Sequence, residues 1–140
     1  MKKFIKWILF ILWNFVIFCM SNEIGNNSSG MSNVFVKMVL DLFPILGENK
    51  GIIIILVRKS AHIFEFLILG IFTILLIKEY KVKDEKTISV LICFIIALFD
   101  ELHQLFVIGR NGNIIDVLYD LTGSYIGIII LKVIYLKKRL

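Results

Sequence analysis

Three short groups of ionisable residues stand out in this sequence. Arg58, Lys59, His62 and Glu65 form the first, Asp100, Glu101, His103 and Gln104 the second, and Arg110, Asp116 and Asp120 the third. A histidine among carboxylates can run general acid–base chemistry. Guanidinium and ammonium groups can meet phosphate or carboxylate through charge-assisted hydrogen bonds. His62, Glu65, Asp100 and Glu101 are therefore the catalytic candidates. Arg58, Lys59, His62, Glu65, Asp100, Glu101, Gln104, Arg110, Asp116 and Asp120 are the candidates for ligand binding. Two carboxylates and a histidine can also hold a metal, but the spacing is not diagnostic, and no metal or other cofactor is expected. Ser60 and Ser124 lie near these groups without a recognisable nucleophile elbow.

The elements that carry these residues are long apolar runs. The chain has 140 residues, 59% of them hydrophobic, and a mean hydropathy of +0.89. Such a composition lacks the polar residues for a wet surface, so the bilayer is the expected solvent. The reading is a single all-α domain over 1–140, a polytopic membrane protein with four spans at about 4–20, 55–77, 87–107 and 114–136. A short helix over 34–42, before Pro44 and Gly47, lies along the interface or is a plain connector. Residues 61–77 alone cover about 25 Å, so the second helix is expected to begin before Arg58. Residues 21–30 read as an exposed loop rich in Asn, Ser and Gly. The first run follows Lys2 and Lys3 as a signal peptide would, but no small-x-small cleavage site follows, and a retained anchor is expected.

The net charge is +5, and the basic residues sit in short clusters between spans rather than in a patch interleaved with aromatics. Nucleic acid is excluded as a partner, and the charges instead set orientation. Lys2, Lys3, Lys6, the lysines of 78–86, Lys132 and residues 137–139 fall on one side. Lys37, Lys50, Arg58, Lys59 and Arg110 fall on the other. Both termini and the middle loop are therefore expected in the cytoplasm of a cell-membrane protein. Cys19 and Cys93 then lie at opposite faces, with no disulfide.

At about 100° per residue, Arg58, His62 and Glu65 share one stripe, Asp100 and Gln104 another, and Asp116, Asp120, Gly123 and Gly127 a third. All three stripes lie toward the outer ends of their helices. A charge near mid-membrane costs roughly 2.5–3.5 kcal/mol, so these groups are expected to face inward, paired or lining a wet pocket. Gly123 and Gly127 form a G-x-x-x-G pair suited to close helix contact.

The segment from Arg58 through Ser60, His62 and Glu65 to Phe66 resembles the opening motif of the VanZ-like membrane proteins. Asp100-Glu101-Leu102-His103-Gln104, Gly109-Arg110 and Asp116-Val117-Leu118 with Asp120 and Gly123 resemble its second half, in order, from residue 58 to 127. Phe66 stands where the family often has Tyr, Ile108 where it often has Pro, and Asp120 where it often has Asn. The last departure changes the local charge balance and weakens any role that needs a neutral amide. The resemblance implies a link to resistance against the glycopeptide antibiotic teicoplanin.

Four functions follow from the residues and the resemblance. One is binding of an amphiphile, such as a lipid-linked envelope precursor or an acylated antibiotic, in an outward polar pocket. The second is an acid–base enzyme acting on a lipid head group, less favoured for want of a nucleophile. The third is a structural or partner-binding role with the polar groups as helix glue. The fourth is proton-coupled transport, for which four spans are few without dimerisation. Membrane lipids are the surrounding partners, and a homo-oligomer is compatible with the sequence.

Overall fold

The structure, a computed structural model, describes residues 3–22, 34, 36–38, 40–42, 50–110 and 112–137, with residues 50 and 135–137 described by backbone. The elements are α1 (Lys3–Ser21), α2 (Lys50–Ile77), a 3-10 turn (Lys78–Tyr80), α3 (Glu85–Gln104) and α4 (Ile114–Lys137). No strand occurs among the described residues. Among the described residues, four helices are long and apolar enough to cross a membrane. Even the shortest, with 19 residues, reaches about 28 Å, close to the roughly 30 Å hydrocarbon core.

The boundaries differ from the sequence reading at two places. α2 starts at Lys50 rather than near 55, so Arg58 and Lys59 sit well inside a continuous helix. α3 ends at Gln104, before the expected 107, because the chain turns there: Phe106 N–H donates to the His103 carbonyl at 2.9 Å and Arg110 N–H to Val107 at 3.1 Å. Gly109 completes the reversal with φ 78°, a left-handed conformation natural to glycine. Residues 34, 36–38 and 40–42 are helical, as expected, with Val36 buried. The loop at 23–30, Pro44, Gly47, Asn111 and residues 138–140 lie outside the described residues.

α2 and α4 make the closest contact. A Cβ on Gly123 would overlap the Ile63 carbonyl, one on Gly127 the Leu67 carbonyl, and one on Gly70 the backbone of Ser124. The small residues thus let two backbones touch, as the G-x-x-x-G spacing suggests. α1 and α3 complete the bundle around Ile17, Phe66, Leu69, Cys93, Ala97 and Val117. Trp13 of α1 joins this core and donates its indole N–H to the Glu65 carbonyl at 2.9 Å. Outward faces carry Phe4, Ile11, Phe15, Phe64, Phe99 and Leu118, all exposed. A bundle that is apolar on its outside as well as its inside belongs in lipid. Cys19 and Cys93 are free thiols.

The two ends of the bundle are polar. At one end Lys6 pairs with Glu79, Trp7 donates to the Tyr80 hydroxyl at 3.1 Å, and Lys86 donates to the Tyr125 hydroxyl at 2.7 Å. The other end carries the termini of α1 and α3 and the starts of α2 and α4. The ionisable groups gather toward that end.

Candidate functional site

Each helix contributes side chains because its apolar spacing leaves one polar stripe turned inward. On α4, the glycines that seat the helix on α2 share a stripe with Asp116 and Asp120. Seating the glycines therefore aims both acids at α2. Asp120 is 0% exposed and meets His62 Nδ1 at 3.1 Å. One turn earlier, Asp116 lies 3.5 Å from the Lys59 ammonium, which also sits over the Tyr119 ring at 3.9 Å.

α3 brings Asp100 and Glu101, 8% and 6% exposed. Asp100 is held from both sides: the Ser21 hydroxyl donates to one oxygen, and the Gln104 amide to the other at 2.9 Å. One oxygen of Glu101 accepts the backbone N–H of Asn113 at 2.7 Å. Asn113 in turn caps α4, its side-chain oxygen accepting the Ile115 N–H at 3.0 Å. The turn after α3 folds closely over its end, since a Cβ on Gly112 would overlap the Glu101 carbonyl.

One ligand atom from each of His62, Asp100, Glu101 and Asp120 lies within 4.8 Å of the other three. Three helices meet there, and the set can hold a cation or pass a proton. Glu65, three residues after His62 on α2, is half-buried and is not one of the four. Arg110, a candidate for ligand binding, lies in the turn after α3. Its guanidinium donates to the Gln104 side chain at 3.4 Å and to the Met20 carbonyl at 2.6 Å, tying the end of α1 to the turn after α3. His103 stacks on Phe18, with ring centroids 4.7 Å apart.

Beside the cluster lies a cavity of about 190 Å³ lined by Arg58, Lys59, His62, Asn113 and Asp116 together with Ile55 and Gly109. A second hollow, about 360 Å³, runs between α1 and α3 past Ile17, Phe18, Ile96 and Phe99 and touches the cluster at Asp100. The sequence reading passed over Ser21 and Asn113. Asn113 carried a signal, a good capping residue placed directly before an apolar run. Ser21 carried none, because its partner is 79 residues away.

A family model described as VanZ/LLP1 matches residues 4–135, nearly the whole chain. Searches of curated proteins and of solved structures give no match.

Proposed function

The chain belongs to the VanZ/LLP1 family, and on that premise we propose that it binds the head group of an amphiphilic envelope molecule between α2 and α4. The observation that carries this reading is the cavity lined by Arg58, Lys59, His62, Asn113 and Asp116 on helices otherwise clothed in apolar side chains. Arg58 and Lys59 suit a phosphate or carboxylate. Asn113 and Asp116 suit the hydroxyls and amines of a sugar or peptide head. The apolar hollow between α1 and α3 offers room for part of an acyl or isoprenoid chain. By the loop charges the termini are cytoplasmic and the cavity opens to the outer face of the cell membrane. A lipid-linked cell-wall precursor is the favoured occupant. An acylated glycopeptide of the teicoplanin kind shares its chemistry, which gives resistance a physical route through competition for the same cavity.

The test is equilibrium binding of a lipid-linked cell-wall precursor, and of teicoplanin, to the purified protein in lipid nanodiscs. Replacing Arg58 with Ala and Lys59 with Gln should weaken binding about tenfold or more, since each charge-assisted hydrogen bond contributes about 1.5 kcal/mol or more. Equal binding by wild type and variant ends the reading. Acid–base catalysis on the same head group is a second reading, favoured by His62 on the cavity wall with buried Asp120 behind it. It requires turnover of the bound lipid, lost in Asp100→Asn at unchanged protein level.

A further inference from the structure

Beneath the head-group cavity, we propose that His62 of α2, Asp100 and Glu101 of α3 and Asp120 of α4 form a binding site for one divalent cation of the Mn²⁺ or Zn²⁺ class. This goes beyond the head-group reading and does not rest on it.

Four ligand atoms, one from each residue, already lie within 4.8 Å of one another. A tetrahedral shell with bonds of about 2.1 Å places its ligands about 3.4 Å apart, and an octahedral one places opposite ligands about 4.2 Å apart. From a spread of at most 4.8 Å, the widest pair closes by roughly 0.6–1.4 Å, within the reach of carboxylate rotation.

Unused acceptors point to the same ligand. Asp120 Oδ2 and Glu101 Oε1 are buried and have no hydrogen-bond partner among the described residues. Their residues are 0% and 6% exposed. An acceptor shut away from water without a donor is costly, and a cation would satisfy both oxygens at once.

The surrounding contacts have the form of an outer coordination shell. Ser21 and Gln104 fix both oxygens of Asp100, and the Asn113 N–H fixes the second oxygen of Glu101. Ligating carboxylates are commonly oriented by such partners. Charge favours occupation as well. Three carboxylates crowded together repel one another, and a dication with a neutral imidazole leaves one net negative charge. An imidazole among oxygens suits Zn²⁺ or Mn²⁺ better than Ca²⁺ or Mg²⁺. The donors come from residues 62, 100, 101 and 120, so no short sequence motif could announce them.

The full chain, purified in nanodiscs and stripped with a chelator, is equilibrated with MnCl₂ or ZnCl₂, desalted and assayed for metal by mass spectrometry. About one ion per chain is expected. His62→Gln and Glu101→Gln should each weaken binding roughly tenfold or more, whereas Asp84→Asn, at the far end of the bundle, should keep the ion. Pulsed electron paramagnetic resonance of the Mn²⁺-loaded wild type should show coupling to an imidazole nitrogen, a readout that needs no variant. Neither metal retained by the wild type, no nitrogen coupling in the Mn²⁺-loaded protein, or wild-type affinity in both His62→Gln and Glu101→Gln overturns the site. Neither a lipid-linked precursor nor teicoplanin is present in these measurements, so their outcome is separate from that of the head-group test.

Discussion

Asp120 is the residue on which the local electrostatics turn. It is fully buried on α4, and its one hydrogen-bonded oxygen meets His62. Removing the hydrogen-bond partner of a buried carboxylate typically destabilises by about 1–3 kcal/mol or more, because the carboxylate is left unsatisfied. His62→Ala should therefore lower the melting temperature in detergent far more than Asp120→Asn, which removes the charge itself. Ser21 makes a quieter test. Its hydroxyl donates to buried Asp100 from the end of α1. Ser21→Ala should cost about 1–3 kcal/mol, the penalty for stranding a buried acceptor, read as a fall in thermal stability in detergent. At the far end of the bundle, Asp84 sits outside the spans and accepts the Thr87 N–H at 3.3 Å at the start of α3. The hydrogen bonds from Thr87 hold its carboxyl below the usual range. A lowered folded-state value means that the cap is in full force above the ordinary carboxylate range. It is lost as pH falls through the folded value. Amide protection factors in the first turn of α3, which correct for the slower intrinsic exchange at low pH, should fall on acidification in the wild type and be low at all pH in Asp84→Ala.

Among the elements, α2 and α4 form the frame that seats everything else. Gly123 and Gly127 press against the carbonyls of Ile63 and Leu67, so even one methyl group must push the helices apart. Gly123→Ala should destabilise by about 1–3 kcal/mol as an overpacked contact. It should also separate His62 from Asp120, the pair held by that seating. Gly51, on the same α2, meets nothing within 4 Å of a built Cβ. Gly51→Ala should be neutral or stabilising by up to about 1 kcal/mol through helix propensity. Thermal melting of the two variants side by side separates close packing from propensity. α1 is joined to this frame through Trp13, Ser21 and the Met20 carbonyl, which makes it a structural wall of the site.

For the whole molecule, the two polar ends must face opposite sides of the membrane if all four helices cross it. Single cysteines at Lys83 and at Asn113, in a Cys19→Ser, Cys93→Ala background, should label from opposite faces of intact cells. Labelling of Asn113 from outside and protection of Lys83 is the expected pattern by the charge rule. The reverse pattern would turn the cavity toward the cytoplasm and remove an extracellular antibiotic from its candidate occupants.

Hydropathy, read along the chain, was enough to find four helices, because a 20-residue apolar run has few other ways to satisfy its backbone. Helical periodicity also placed His62, Asp100 and Asp120 on inward stripes, and the Gly123–Gly127 spacing marked a close contact before any partner was known. Periodicity orders residues around one helix but says nothing of how helices are rotated or staggered against each other. Hence the convergence of four side chains within 4.8 Å, the reach of Arg110 to the Met20 carbonyl and the hold of Ser21 on Asp100 were decided only by packing. Those contacts join residues up to 90 positions apart, and only the docking of backbones at the glycines of α2 and α4 fixes such distances.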